Sequence, residues 1–170
     1  VSGVSACLAP DGILAIECPY VVDFIEKSEF DTAYHEHVSY VGITPLTVLM
    51  KNNGLEVFDV EYFPEIHGGT IRVYNARTGE RPLTPRLKEF LRKEEAFGIR
   101  DPKVYDAFAQ RVLKNRERLR TLVARLREEG QTIWAYGASA KGNTLMNFFG
   151  IGADAVPQAI DDNQKKWGFY

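Results

Sequence analysis

The chain has 170 residues, of which 45% are hydrophobic, enough for one ordinary domain or two small ones. Its 21 basic and 23 acidic residues nearly balance, so nucleic acid is not expected as a partner. Because no apolar run reaches membrane-spanning length and no signal-peptide pattern occurs, we expect no membrane partner and a cytoplasmic location. Cys7 and Cys18 lack C-x-x-C spacing and are predicted to be buried, reduced core residues.

The first predicted strand follows a turn signal. Pro10-Asp11-Gly12 precedes a mostly apolar run over Ile13–Cys18. Because apolar residues occupy both odd and even positions, the run predicts a strand buried on both faces, as in a parallel α/β sheet. Thr44 as N-cap, Pro45 at the first helical position and Gly54 as the stop then predict a helix.

Two β-rich segments and a long helical region come next. Leu55–Phe63 and Gly68–Arg77 are predicted to form an antiparallel pair joined through the letters PEIHGG. Gly79–Pro85 holds two prolines and a glycine, a composition that predicts a linker. From about Arg86 to Glu129 the composition predicts helix with a solvated charged face, which Gly130 ends.

A predicted βαβ unit closes the chain. QTIWAYG predicts a short buried strand, ASAKGNTLMNFFG a turn that runs into a helix, and AVPQAIDDN a second strand. Free backbone N–H groups and the helix dipole at such a turn favour phosphate. Asp161 closes the second strand, where an acid would meet ribose hydroxyls. The candidate nucleotide-binding residues are Gly137, Ala138, Ser139, Lys141, Gly142, Asn143 and Asp161.

The spacing of this turn leaves a second interpretation open. It is G-x-S-x-x-G, which is neither the dinucleotide fingerprint G-x-G-x-x-G nor a P-loop. An ordinary strand-to-helix turn with Lys141 in solvent fits the pattern equally well.

Two of the three histidines stand together in the letters AYHEHVSY, and three interpretations compete. His35 and His37 could bind a metal with His67, although no clear fourth ligand follows. Alternatively, a neutral imidazole is the best proton acceptor near pH 7, with Glu36 to orient it and the Tyr34 hydroxyl to hold an oxyanion. A polar loop that only satisfies backbone groups is the third interpretation.

Several segments, in their order and spacing, resemble the sugar C-methyltransferase family. They are LAPDGILAIECPY, FDTAYHEHVSYVGITPLTVLMKNNGLEVFDVE, HGGTIRVY and IWAYGASAKGNTLMNFFGIG. Members use S-adenosylmethionine to methylate a carbon of a nucleotide-linked deoxysugar, in the best understood cases C-3 of a dTDP-4-keto sugar. The Y-H-E-H-x-S-Y and G-A-S-x-K-G-N-T blocks are specific when they occur together. The resemblance covers nearly the whole chain and implies a dTDP-sugar as the substrate.

The resemblance implies an α/β fold within a three-part enzyme. A small zinc-binding N-terminal domain would precede a class I methyltransferase domain with a Rossmann-like sheet, and a Rossmann-like C-terminal domain would help hold the nucleotide sugar. Residues 1–79 would be the C-terminal portion of the methyltransferase domain, from its fifth strand. Residues 80–130 would be a linker with long helices, and residues 131–170 the first βαβ half of the C-terminal domain.

The chain is therefore expected to be a fragment of such an enzyme. It opens without Met and stops after the letters NQKKWGFY, and it contains neither the glycine-rich loop for S-adenosylmethionine nor the cysteines of the zinc domain. We expect no cofactor or metal on this chain, no activity of the fragment alone, and a homodimer formed through surfaces that truncation exposes. The letters SYVGITP also depart from the SYFS common in the family, so local substrate contacts there are expected to differ.

The resemblance also implies roles in proton transfer. A base must remove the proton next to the ketone, and His37 is assigned as that base, with Glu36 orienting or polarising the site and Tyr34 hydrogen-bonding the sugar oxygen or enolate. In a helix Tyr34 and His37 would share a face, whereas in an extended segment His35 and His37 would, which makes His35 the alternative base. A non-catalytic nucleotide- or NAD-binding module and a histidine-based metal protein are the competing functions.

Overall fold

The computed structural model describes residues 1–168, and the chain divides into two compact units. The first unit comprises Val1–Glu29 with Ser39–Asp106, and the second comprises Phe30–Val38 with the chain from Ala107 onward. The chain therefore enters the second unit briefly, returns to the first and then re-enters the second. Within the described residues no helix is both long and apolar enough to cross a membrane.

A three-stranded antiparallel sheet organises the described part of the first unit. β3 lies between β1 and β2 and pairs antiparallel with both, which confirms the predicted pairing of the two β-rich segments. The elements in chain order are α1 (Ser2–Cys7), β1 (Leu14–Pro19), α2 (Val21–Glu26), α3 (Ile43–Lys51), β2 (Leu55–Phe63), β3 (Thr70–Arg77) and α4 (Pro85–Phe97).

β1 is not the doubly buried parallel strand that its apolar run predicts. It pairs antiparallel with β3, and Ile16 stands opposite Val73. Its burial alternates, since Leu14, Ile16 and Cys18 are half-buried against the core whereas Glu17 is exposed. The prediction was wrong because the hydrophobic core packs against only one face of this sheet. Successive residues of an antiparallel strand then alternate between buried and exposed.

The core of the first unit lies where α3 and α4 contact β2. Its fully buried members include Ile43 and Met50 of α3, Leu55 and Val60 of β2, and Val73 of β3. The period of α3 places its apolar residues on one face, and the strand positions alternate, so both elements turn their apolar side to this layer.

The two cysteines differ in environment. Cys7 is exposed at the end of α1, so the prediction of a buried residue is wrong there, and Cys18 is half-buried on β1. Burial, with a smaller effect of the Glu17 charge, raises the pKa of Cys18 to about 11. Its thiol therefore stays protonated at neutral pH, which fits a packing residue better than a nucleophile.

Helix α3 is not capped by Thr44 as the sequence predicts. Its N-cap is Gly42, which has no side chain to accept a hydrogen bond. The carboxylate of Glu94, on α4, instead accepts the backbone N–H groups of Ile43 at 2.6 Å and Thr44 at 2.7 Å. The predicted stop at Gly54 is a turn residue with a φ of 71° beyond the end of the helix.

The predicted helical region consists of two helices, α4 and α5 (Pro102–Glu128). α4 starts at a Thr84 cap, whose hydroxyl accepts the N–H of Leu87 at 3.2 Å, and it ends at Gly98, which has a φ of 82°. The predicted stop at Gly130 is confirmed by a φ of 73° just after α5. Left-handed glycines therefore end both helices.

The second unit contains the predicted βαβ segment. β4 (Trp134–Tyr136) and β5 (Gln158–Ile160) pair in parallel, and α6 (Ala140–Phe149) connects them. The predicted burial of the first of these strands is wrong, because Trp134 and Tyr136 are 54% and 74% exposed. Within the described residues this sheet has only two short strands, so neither strand has a neighbour on both sides.

A tight turn precedes β3. His67, Gly68 and Gly69 have φ values of 49°, 80° and 141° in succession. A Cβ atom on Gly68 would collide with the Glu29 carboxylate, and one on Gly69 would collide with the Asp23 carboxylate. Both positions therefore require glycine, for the backbone conformation and for the close approach of an acidic side chain.

Gly69→Ala is expected to lower the free energy of unfolding by roughly 2–5 kcal/mol, because a strained backbone and a displaced carboxylate add together. Urea denaturation followed by circular dichroism measures this change. Gly79→Ala is the matched control, since Gly79 also has a positive φ, 82°, but a Cβ there meets nothing within 4 Å. Equal losses in the two variants would show that the contact with Asp23 contributes nothing.

Candidate active site

The segment Tyr34–His37 is a tight turn in the second unit. The N–H of His37 donates to the carbonyl of Tyr34 at 2.9 Å, and the N–H of Tyr34 donates to the carbonyl of Thr32 at 2.9 Å. Thr32 is buried and ends a short 3-10 helix, Phe30–Thr32. The turn is thus neither the helix nor the extended segment considered from the sequence.

This turn brings the rings of Tyr34 and His37 together. Their centroids are 4.8 Å apart and their planes are tilted by 35°, and both residues are half-buried. His35 and Glu36 are exposed, and His35 meets Tyr34 edge-on at 6.0 Å. A phenol and one imidazole therefore form a stacked pair, and the second imidazole stands apart from it.

The chemistry of the pair suits proton transfer. Imidazole accepts a proton near neutral pH, and a phenolic O–H can donate to an oxygen that gains negative charge. Within residues 1–168 Glu36 forms no hydrogen bond to His35 or His37.

Ser139 caps the N-terminus of α6. Its Oγ accepts the N–H of Gly142 at 3.0 Å. Gly137 has a φ of 94°, and its N–H donates to a carbonyl of β5 at 2.7 Å, which fixes the turn to that strand. The N–H groups of Ala140 and Lys141 precede the first intrahelical hydrogen bonds and are available to an anion.

Lys141 and Asn143 are exposed on the first turns of the same helix. The side-chain oxygen of Asn143 accepts from the amide of Asn147 at 2.9 Å. In the part of the chain that the structure describes, Lys141 forms no hydrogen bond or ion pair. Its ammonium group can therefore pair with an anion at the helix N-terminus without first breaking another contact.

Asp161 is held by hydrogen bonds within the unit. Its carboxylate accepts from the N–H of Ala138, the ammonium of Lys166 and the N–H of Asn163, each at 2.8 Å. The hydrogen bond from Lys166, followed by those from the backbone, lowers the pKa of Asp161. The N–H of Ala138 therefore already donates to Asp161 and is not available to a phosphate. A ribose hydroxyl would have to donate to a carboxylate that already accepts three hydrogen bonds.

Two residues beside Asp161 were missed by the sequence analysis. Lys166 also donates to the carbonyl of Ala138 at 2.7 Å, and the indole N–H of Trp167 donates to the carbonyl of Asp161 at 2.9 Å. They line a cavity of about 380 Å³ beyond the carboxyl ends of β4 and β5. The signal in the sequence that could have found them is a lysine and a tryptophan five and six positions after Asp161. Trp167 is 62% exposed, so its ring is accessible from the solvent.

The metal interpretation finds no ligand set within residues 1–168. No three His, Cys, Asp or Glu side chains lie close enough together to hold an ion. His67, the expected third ligand, belongs to the first compact unit, whereas His35 and His37 belong to the second.

Comparison with known proteins identifies the family. Residues 65–170 match the model of a family described as the C-methyltransferase C-terminal domain. The chain belongs to this C-methyltransferase family. It is 36% identical over 169 residues to C-methyltransferase NovU of Streptomyces niveus, a match that covers 99% of this chain and 40% of that protein. The resemblance stated from the sequence is thereby confirmed, for a chain that spans about two fifths of its curated relative.

The match to NovU extends over the Tyr34–His37 turn, which lies before the segment matched by the family model. The turn at Gly137–Asn143 lies inside that segment. Both candidate sites of this C-methyltransferase family member occur in its second compact unit.

Proposed function

We propose that the chain is part of an S-adenosylmethionine-dependent C-methyltransferase that acts on a nucleotide-linked keto-deoxysugar. Family membership and the similarity to C-methyltransferase NovU support methyl transfer to carbon. The observation that carries the proposal is the stacked pair of Tyr34 and His37. Methylation of a carbon next to a ketone needs a base and an oxyanion partner that reach the same substrate.

The chemistry that this chain supplies is proton removal. A C–H next to a ketone is acidic because the resulting anion delocalises onto the ketone oxygen. His37 takes this proton on an imidazole nitrogen, and the Tyr34 hydroxyl donates a hydrogen bond to the oxygen as it becomes negative. The result is an enolate beside an imidazolium, with the carbon as the nucleophile for the methyl group.

The proposal assigns His37, and not His35, as the base. His37 is half-buried and stacks on Tyr34, whereas His35 is exposed and meets the Tyr34 ring in a T-shaped contact at 6.0 Å. A base and an oxyanion donor must face one substrate, which favours the stacked pair. Glu36, which precedes His37 in the chain, keeps its proposed role of orienting or polarising the site.

The described residues do not fit the methyl donor. The loop expected for S-adenosylmethionine has an acid and then G-x-G after a strand. The residues that follow β1 and β4 are instead Tyr20-Val21-Val22 and Gly137-Ala138-Ser139. We therefore assign no residue of this chain to the binding of S-adenosylmethionine or of zinc.

We place the substrate diphosphate at the N-terminus of α6. The unused N–H groups of Ala140 and Lys141, the positive end of the helix dipole and the Lys141 ammonium all favour an anion there. Ser139 maintains the turn by capping, so its contribution to binding is indirect. This arrangement supports a nucleoside diphosphate carrier, which we propose is dTDP.

The domain division at residues 1–79, 80–130 and 131–170 stays part of this proposal, as does self-association into a homodimer. The compact units divide the chain differently, since 30–38 groups with the second unit and 80–106 with the first. Within the described residues β1 is an edge strand with an open side, which supports pairing with another chain.

Lys141→Ala in the full-length protein is expected to raise the KM for a dTDP-linked 4-keto sugar about tenfold, with kcat nearly unchanged. A charge-assisted hydrogen bond is worth about 1.5–3 kcal/mol, and the exposure of Lys141 puts it at the low end. The rate of methyl incorporation measures this effect, and NMR of the product locates the new methyl on carbon.

The matched control is Lys114→Ala, because Lys114 is an exposed lysine on α5 outside both candidate sites. Equal changes in KM in the two variants would contradict the binding site at α6. Absence of a C-methylated product with sugars carried by dTDP or by other nucleoside diphosphates would contradict the proposed function itself.

A further inference from the structure

The turn that carries His37 is attached to α6 by aromatic packing. The ring of Phe30, at the start of the 3-10 helix, lies 5.0 Å from the ring of Phe148 and 5.6 Å from that of Phe149. Phe149 is only 5% exposed and ends α6. All of these residues belong to the second unit, although Phe30 is more than a hundred positions away along the chain.

α5 holds this end of α6 in place. The Arg120 guanidinium donates to the carbonyl of Phe149 at 3.1 Å, and Arg116 stacks over the ring of Phe148 at 5.6 Å. Gly150 follows with a φ of 64° and closes the helix. The surface that Phe30 contacts is therefore a fixed one, anchored by two arginines of a long helix.

The turn itself has little else to hold it. Ala33, His35, Glu36 and Val38 are exposed, and the backbone of the turn is closed by the two hydrogen bonds described above. An exposed turn with few contacts samples many conformations unless its ends are fixed. The buried residues nearest to it are Thr32 and, through the contact with half-buried Phe30, Phe149, so these set where the turn lies.

We infer that Phe30 is a positioning residue for the base, which acts by fixing the Tyr34–His37 turn to the carboxyl end of α6. The opposite end of this ten-residue helix carries Ser139 and Lys141. One rigid element, about 15 Å long, thus sets the distance between the base and the anion site. The effect of Phe30 on catalysis rests on the proposed function. Its effect on the position of the turn does not.

Phe30→Ala is expected to release the turn and to lower kcat in the full-length protein by about 10²-fold, since a misplacement of the base by about 1 Å has that effect. KM for the nucleotide sugar should stay nearly unchanged, because the α6 N-terminus is untouched. Phe30→Leu should restore most of kcat by refilling the contact. Phe58→Ala, which removes a ring that pairs with Tyr74 at 6.3 Å in the first unit, should leave kcat unchanged.

A spectroscopic readout tests the positioning without any turnover. In this chain the imidazole protons of His37 should be shifted upfield by the ring of Tyr34, and those of exposed His35, whose ring lies farther from Tyr34 at 6.0 Å, should be shifted less. Phe30→Ala should reduce the upfield shift of the His37 signals. Phe148→Ala keeps the test usable if Phe30→Ala unfolds, since Phe148 is 41% exposed, and it should move them in the same direction.

His37 signals that stay in place in both variants would overturn the inference, as would a loss of kcat in Phe58→Ala equal to that in Phe30→Ala. Failure of the proposed function gives a different result. In that case the His37 signals still respond to Phe30, but His37→Ala leaves turnover unaffected.

Discussion

His37→Ala should lower the turnover of the full-length enzyme by about 10²–10⁴-fold, the usual contribution of a general base. The affinity for the nucleotide sugar should change little, because the candidate anion site lies at α6. Stability should also change little, since within residues 1–168 the half-buried imidazole forms no hydrogen bond or ion pair and its ring stacks on Tyr34. The measurement is kcat and KM for methyl transfer, with the unfolding midpoint recorded beside them.

Proton exchange isolates the step that this variant removes. In D₂O and without the methyl donor, the wild-type enzyme should replace the substrate proton next to the ketone by deuterium, and His37→Ala should not. His35→Ala is the matched control, because His35 is exposed on the same turn and should keep the exchange. The reverse pattern, with exchange lost only in His35→Ala, would assign the base to His35 instead.

Local residue patterns left both histidines open as the base, because their arrangement depends on the local conformation. A helix pairs Tyr34 with His37 and a strand pairs His35 with His37, and both patterns fit the letters. The structure forms a turn, closed by a hydrogen bond between Tyr34 and His37. Its conformation depends on the packing of Phe30 against Phe148, a tertiary contact that the local sequence pattern does not indicate.

Local signals located the hairpin and some of the helix ends. The β-rich composition of β2 and β3, with the letters PEIHGG between them, predicted an antiparallel pair that the structure contains. The stop at Gly130 and the strand-to-helix turn before α6 were also predicted from local residue types. In contrast, the partner of β1 could not be predicted, since the residues that pair with it, from Leu14 with Asn75 to Pro19 with Thr70, are about 50–60 positions later in the chain.

The cap of α3 shows the same limit at a single helix end. Thr44 and Pro45 are a reasonable local signal, yet the cap comes from Glu94, which is 51 positions from Ile43. The N-cap Gly42 fits this arrangement, because a Cβ there would lie 2.5 Å from Cδ1 of Ile99 and 3.2 Å from the Glu94 carboxylate. A fully buried glutamate is rare in any helix, and its position on α4 gives no sign of its partners.

Glu94→Ala is expected to lower the free energy of unfolding by roughly 2–5 kcal/mol, a large share of the stability of a typical domain. Glu94 is 0% exposed, and its loss leaves the buried N–H of Ile43 and the half-buried N–H of Thr44 without this acceptor. It also removes a negative charge from the positive end of the α3 dipole. Denaturant unfolding measures the loss, and Glu94→Gln, which keeps one oxygen acceptor, should give an intermediate value.

Glu95→Ala is the control, since Glu95 is the exposed neighbour on the same helix and should cost about 0.5 kcal/mol or less. Losses of equal size in Glu94→Ala and Glu95→Ala would mean that the buried carboxylate does not cap α3.

Tyr20 provides an independent check within the Glu94→Ala variant. Burial, and after it the charge and hydrogen bond of Glu94, raise the pKa of Tyr20 above its ordinary value. In Glu94→Ala this pKa should fall but stay raised, because burial is the larger cause and remains.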